Sequence, residues 1–158
     1  MNLGESPRLP ETTSQLAQQV FAELYETILA QEAGVRRGEV EAIHDMRVAT
    51  RRLRVALINF AACWPKEQRR QLKTWLQNLA DALGKVRDLD VLMESLKQKQ
   101  NFLPATERQL LNNLLERFGR QRQRRFQALL VFLSGDTYET FKRDFPSTFA
   151  LQTLAAAA

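Results

Sequence analysis

Apolar side chains along this chain recur every three or four residues, the spacing that places them on one face of a helix. The pattern predicts a first helix over residues 12–33, capped by a threonine or serine at its start, and a second helix over 39–63. The second helix ends before Pro65, because the residue preceding a proline disfavours helical backbone. The sequence contains no strand-like alternation of apolar and polar residues, so we predict an all-α protein.

The helical spacing continues through the second half of the chain. A third segment starts at residue 66, is interrupted at Gly84 and resumes after Asp88, which we interpret as the cap of a following helix. A long helix is predicted over 105–133, and a short final helix over 137–145. Four long helices joined by short turns favour an antiparallel four-helix bundle with a short extra C-terminal helix.

These elements divide the chain into three parts. Residues 1–11 are expected to form a flexible leader, residues 12–145 one helical domain, and residues 146–158 a tail that resembles a helix fragment or a cut end. The predicted core face of the first helix consists of Leu16, Val20, Leu24, Ile28 and Leu29. The predicted core face of the second helix consists of Ile43, Met46, Leu53, Leu57 and Phe60.

Composition points to an anionic partner. Lys and Arg total 23 against 18 for Asp and Glu, and the planar guanidinium of arginine suits phosphate oxygens. The sequence has one cysteine, no zinc-type cluster, no glycine-rich phosphate loop and one histidine, so we expect neither a cofactor nor an enzyme. It has no apolar signal core and no run long enough for a membrane span, so we expect a cytoplasmic protein.

The second predicted helix carries a row of basic side chains beside its apolar face. At about 100° per residue they fall on one strip, with spacings of three, four and three residues. This basic strip consists of His44, Arg47, Arg51 and Arg54. It spans about 15 Å along the helix axis, which suits a linear polyanion better than one compact phosphate. Arg52 points elsewhere, near Asp45, with which it can pair.

Two interpretations of the basic strip stay open at this point. It is either a solvated helix face, as most charged runs are, or an anion site in which the ligand relieves repulsion among the arginines. A second basic group on the helix over 105–133 consists of Arg117, Arg120, Arg122, Arg124 and Arg125. Arg122 falls on that helix's apolar face, where an unpaired charge is costly, so either its head reaches solvent or that interface is open.

Two segments carry a family resemblance. Residues 44–54 read HDMRVATRRLR, and residues 83–91 read LGKVRDLDV. Together they resemble the CHAD family, the conserved histidine α-helical domain. The resemblance implies two four-helix bundles related by a pseudo-twofold axis, with basic residues lining a central groove that binds inorganic polyphosphate. It also implies an association with polyphosphate granules and frequent fusion to a triphosphate tunnel domain.

The resemblance assigns polyphosphate-binding positions residue by residue. The first segment contributes His44, Arg47, Arg51, Arg52 and Arg54, the second contributes Arg87, and Arg122 and Arg125 match the family's later basic positions loosely. A complete family domain is about twice this length, and only its first half is evident here. Either the chain is a truncated or shortened member, or two copies pair as a homodimer that rebuilds the two-bundle unit.

Three functions follow from these features. The leading hypothesis is non-catalytic binding of inorganic polyphosphate along a basic helical groove. The second is nucleic-acid binding, which is disfavoured because no aromatic side chain for base stacking is interleaved with the arginines of residues 44–54. The third is a helical protein-interaction module whose arginines meet an acidic partner.

Overall fold

The computed structural model describes residues 12–149, and all of its regular elements are helical. The all-α class is therefore confirmed, whereas the four-helix bundle stays a prediction. The helices are α1 (Thr13–Arg36), α2 (Val40–Asn59), α3 (Lys66–Lys99), α4 (Ala105–Leu133) and α5 (Asp136–Thr148). Short 3-10 turns over Ala61–Cys63 and Gln100–Phe102 follow α2 and α3. The predicted leader, residues 1–11, and residues 150–158 lie outside the described part of the chain.

The long helices pack in chain order, α1 on α2, α2 on α3 and α3 on α4, with α5 against α3 and α4. Small buried residues recur every seven positions on α2, and these are Ala42, Ala49 and Ala56. At the α1–α2 corner a Cβ added to Gly34 would stand 2.6 Å from the Ala42 Cβ, so glycine is required there. Gly38 makes the turn with φ 77°, a left-handed conformation that favours glycine.

The start of α1 matches the predicted cap, because the Thr12 hydroxyl accepts from the Gln15 N–H at 3.2 Å. The predicted core face of α1 is partly wrong. Its fully or nearly buried side chains are Ala17, Phe21, Tyr25, Ile28 and Val35, whereas Leu16 is exposed. The buried face of α1 is instead the one that carries its aromatic rings, which bury more apolar area than leucine.

An unbroken α3 contradicts the predicted interruption at Gly84 and the predicted cap at Asp88, since both residues lie inside the helix. Leu83 and Val86, on either side of the glycine, are fully buried. Their packing outweighs the roughly 1 kcal/mol that a glycine costs inside a helix. At 34 residues α3 is about 51 Å long against about 30 Å for α2, and it packs on both α2 and α4.

The final helix was predicted to end before Pro146, but α5 continues through it to Thr148. Proline has no N–H, so the Lys142 carbonyl four residues earlier lacks its helical donor. The Tyr25 hydroxyl donates to that carbonyl at 2.8 Å. A side chain of α1 therefore replaces the missing backbone hydrogen bond, a contact that no local sequence signal reveals.

Aromatic packing joins α5 to the rest of the core. Tyr25 stacks on Phe145 with ring centroids 4.4 Å apart, and Phe21 lies 4.1 Å from Trp64. The Tyr138 hydroxyl donates to the Glu32 carboxylate at 3.2 Å. Burial, reinforced by the nearby Glu32 charge, raises the pKa of Tyr138 well above its usual range.

Candidate functional site

The basic strip lies on α2, which is helical without interruption from Val40 to Asn59. The apolar residues predicted to form the core face of this helix are buried, apart from Phe60, which is half-buried. On the strip itself Arg47 and Arg51 are exposed, while His44 and Arg54 are half-buried. One rigid helix therefore fixes the four side chains along its axis.

The two family segments meet where α2 packs on α3. An ideal Cβ at Gly84 would stand 3.8 Å from Arg47 Nε, and Arg47 Nη2 lies 3.7 Å from Asp88 Oδ1. The side chains of Arg47 and Asp88 are 46% and 73% exposed, so this long contact contributes at most about 1 kcal/mol. Arg47 is therefore loosely oriented by Asp88 and is still open to a stronger anion.

Along the rest of the strip, positive charge is uncompensated. Within residues 12–149, Arg51, Arg52 and Arg54 form no ion pair with any carboxylate, and the predicted contact between Arg52 and Asp45 is not made. The sequence has no acidic residue between Asp45 and Glu67. A shallow depression of about 360 Å³ on this surface is lined by Val48, Arg51, Arg52 and Val55. This part of α2 carries charges that no described residue neutralises.

Arg87 lies in a different environment, a pocket of about 610 Å³ between the start of α2, the second half of α3 and α4. Its charged lining residues are Glu41, Arg87, Asp90, Glu94, Lys97 and Arg122. Three carboxylates therefore face three cations, and the pocket has no net formal charge. This pocket is larger than the depression beside Arg51 and Arg52, yet its charge balance makes it a poor match to a polyanion.

Arg122 is held by an ion pair. Its Nε donates to Asp90 Oδ1 at 2.6 Å and its Nη2 donates to the Gly38 carbonyl at 3.1 Å. The Arg122 and Asp90 side chains are 19% and 4% exposed, and the guanidinium carbon lies 5.6 Å from the Phe126 ring centroid. The sequence left two possibilities, a head that reaches solvent or an open charged interface. The structure instead neutralises the charge within the packed region, tying α4 to α3 and to the α1–α2 turn.

Arg125 lines a third pocket, of about 430 Å³, together with Lys85, Asp81 and Thr137 of α5. None of its lining residues is shared with the pocket of Arg87 and Arg122 or with the depression beside Arg51 and Arg52. The structure thus brings the α2 residues together along one helix, and it places Arg87 with Arg122 but Arg125 elsewhere. Whether any of these residues binds polyphosphate stays a prediction.

The sequence did not predict that Asp90, which lines the pocket of Arg87, pairs with Arg122. Asp90 is buried and its Oδ2 has no hydrogen-bond partner among the described residues. A signal for its role was present, because Asp90 and Arg122 each fall on the inward face of their helix. Only their distance of 32 residues in sequence concealed the pairing.

Within residues 12–149, no group of three His, Cys, Asp or Glu side chains is placed to hold a metal ion. In the same part of the chain, none of the helices combines the length and apolar character needed to cross a bilayer.

These features define an all-helical protein with a row of arginines on one helix, of which Arg51, Arg52 and Arg54 pair with no carboxylate among residues 12–149. A family profile described as the CHAD domain matches residues 19–158. The chain therefore belongs to the CHAD family, as its two sequence segments predict. The family is associated with polyphosphate binding, and its domain is generally a binding domain rather than a catalytic one.

Two curated proteins of Mycobacterium tuberculosis are similar to this chain over 100 residues. Uncharacterized protein Rv2226, from strain ATCC 25618 / H37Rv, is 29% identical, and Uncharacterized protein MT2285, from strain CDC 1551 / Oshkosh, is 28% identical. The similar region is 63% of this chain and 20% of each relative, so the chain spans about a fifth of their length. No solved structure matches the chain significantly.

Proposed function

We propose that this chain binds inorganic polyphosphate along the basic strip of α2 and catalyses no reaction. The observation that carries the proposal is the run of exposed arginines on one helix with no ion-paired carboxylate among residues 12–149, apart from the long contact of Arg47 with Asp88. The association of the CHAD family with polyphosphate supports the same ligand.

Binding follows from electrostatics and hydrogen bonding. Arg51 and Arg54 lie one turn apart, so in the free protein their charges repel each other. A chain of phosphates along the helix replaces that repulsion with charge-assisted hydrogen bonds to planar guanidinium groups. Because a linear polyanion carries counterions that it releases on binding, the affinity should fall steeply as salt concentration rises.

The proposed site residues contribute unequally. His44, Arg47, Arg51 and Arg54 contact the ligand along the strip, and Arg52 borders it. Arg87, Arg122 and Arg125 line other pockets, so they act on a ligand held at α2 only through long-range attraction, which salt screens within about 10 Å at 0.1 M. Substituting them should affect polyphosphate affinity less than substituting the strip.

Titration with long-chain polyphosphate at two salt concentrations tests the proposal. The Arg47→Ala/Arg51→Ala variant should bind roughly 30-fold more weakly than the unsubstituted chain at the lower salt, about 1 kcal/mol per arginine. The matched control is Arg117→Ala/Arg124→Ala, which removes the same charge from exposed positions of α4. If both double variants lose affinity equally, only net charge matters and the strip is not the site.

Nucleic acid is the alternative ligand, and competition separates it from polyphosphate. Polyphosphate should displace labelled single-stranded RNA at low excess, whereas RNA should displace labelled polyphosphate only at large excess. No aromatic side chain lies among the strip residues to stack on bases. Equal competition in both directions would mean that the strip accepts any polyanion.

We further propose a cytoplasmic homodimer that associates with polyphosphate granules. Support for the dimer comes from apolar side chains left exposed on α3, on the 3-10 turn that follows it and on α4. Phe102, Leu110 and Val91 are 86%, 69% and 50% exposed there, and exposed apolar groups of this kind mark interfaces. Light scattering across micromolar concentrations should report twice the monomer mass, and a constant monomer mass would contradict the dimer.

A further inference from the structure

A second row of side chains runs along α2 on the side opposite the core. We call it the outer seam, and it consists of Val48, Arg51, Val55 and Ile58. Val55 and Ile58 are 49% and 75% exposed. The spacings are three, four and three residues, which is the a/d spacing of a coiled-coil helix, with Val48 and Val55 at a positions. Buried residues of α2, including Met46 and Leu53, face the other way.

The depression on α2 has the form that a partner helix requires. Its lining residues, Val48, Arg51, Arg52 and Val55, stand at positions i, i+3, i+4 and i+7. Four residues in that arrangement form the hole into which a side chain of a facing helix inserts. Two valines and the aliphatic stems of two arginines make this hole apolar at its base and cationic at its rim.

Charge determines which helix can occupy the seam. Arg47 and Arg54 flank it on one side and Arg52 on the other, and Arg51 lies within it. A second α2 would place arginine against arginine, so self-pairing through this face is unfavourable. Polyphosphate supplies negative charge but no apolar surface, so it leaves Val55 and Ile58 in water. A helix with apolar a and d positions and acidic flanks would both cover the apolar side chains of the seam and neutralise its arginines.

We propose that the outer seam of α2 docks an acidic amphipathic helix of a partner protein, in competition with polyphosphate. This goes beyond the proposed function, because the ligand is a protein and its recognition depends on apolar contacts. Competition follows because Arg51 belongs to both the outer seam and the basic strip. One ligand therefore excludes the other by occupying the same guanidinium group.

Three designed helical peptides of three heptads test the proposal by fluorescence anisotropy. The first has leucine at a and d and glutamate at e and g, the second has lysine at e and g, and the third keeps the glutamates but has serine at a and d. We expect the first to bind at least tenfold more tightly than either of the others. Equal binding of the first and third peptides would show plain charge attraction and overturn the proposal.

Substitutions on α2 give an independent test. Val55→Asn/Ile58→Asn changes two exposed positions, so the fold should be kept, and it should weaken binding of the first peptide at least tenfold. The matched control is Val131→Asn on α4, where the side chain is 74% exposed, and it should leave peptide binding unchanged. Unchanged peptide affinity in the double variant would overturn the docking proposal.

Polyphosphate measurements keep the two proposals distinguishable. Val55→Asn/Ile58→Asn should bind polyphosphate within twofold of the unsubstituted chain, because no charge is removed. If Arg47→Ala/Arg51→Ala leaves polyphosphate binding intact, the proposed function fails while the peptide titrations still decide the docking surface. Saturating polyphosphate should displace the first peptide, and a ternary complex of all three would refute competition at Arg51.

Discussion

The Arg122–Asp90 ion pair yields the sharpest stability prediction, through the variant Arg122→Met. Methionine keeps the packing of the aliphatic stem but removes the donor 2.6 Å from Asp90 Oδ1. The Asp90 side chain is only 4% exposed, so its charge would be left buried without a partner. Removing one member of a buried pair costs roughly 3–5 kcal/mol, a large part of the 5–15 kcal/mol by which a domain is typically stable.

Two further variants distinguish the stability contributed by the ion pair from that contributed by each of its side chains. Asp90→Asn keeps an oxygen for the arginine and leaves a guanidinium that is 19% exposed and can reach water, so it should cost only about 1–2 kcal/mol. Asp90→Leu/Arg122→Met removes both charges and should lie within about 1 kcal/mol of the unsubstituted protein, since well-packed apolar residues often replace buried pairs without loss. The double variant should therefore be more stable than Arg122→Met alone.

Urea unfolding followed by far-UV circular dichroism and by the fluorescence of the buried Trp64 and Trp75 measures these differences. Arg124→Met, an exposed arginine on the same helix, is the control and should change stability by less than about 0.5 kcal/mol. If Arg122→Met matches this control, the guanidinium is not paired in solution. It would then be free for an anion, as the family resemblance implies.

Three other changes test the close contacts. Gly34→Ala should destabilise the fold by roughly 1–3 kcal/mol, because the added methyl group would stand 2.6 Å from the Ala42 methyl group. Gly84→Ala should stabilise the fold by about 0.5–1 kcal/mol, since the nearest atom outside the local helix is 3.8 Å away. If urea unfolding gave stability changes of the same sign for both variants, this contrast would be contradicted. Because the pKa of Tyr138 is raised in the folded state, its neutral hydroxyl stabilises the fold below pH 10, and this contribution is lost as pH rises above that value. In thermal melts from pH 8 to 11, the melting temperature of Tyr138→Phe should therefore decline less than that of the unsubstituted chain.

Helix boundaries set by backbone chemistry were predictable from the sequence. The predicted helix over 105–133 matches α4, because Pro104 and Ser134–Gly135 act on the backbone within a few residues. Boundaries decided by distant contacts were not predictable. Gly84 stays helical because its neighbours are buried, and Pro146 stays helical because a hydroxyl from α1 supplies the missing donor.

The same division applies to the candidate site. The basic strip could be predicted because helical spacing alone places His44, Arg47 and Arg51 along one side of α2. The ion-pair partners of its arginines could not be predicted, because ion pairing depends on which helices meet. The family resemblance loosely assigned Arg122 and Arg125 to the same site as the strip, yet packing pairs the first with Asp90 and places the second beside Lys85 in a separate pocket.

The two proposed ligands of α2 differ in the free energy that drives them, which is why one helix can discriminate between them. Polyphosphate binding depends on charge and counterion release, so it weakens steeply with salt and changes the heat capacity little. An acidic helix also removes Val55 and Ile58 from water, and burial of apolar surface gives a negative heat-capacity change and an affinity that salt lowers less. High salt therefore favours the helix over polyphosphate, because screening weakens only the contribution that both ligands share. Arg51 supplies that shared contribution, and the valine and isoleucine beside it supply the difference.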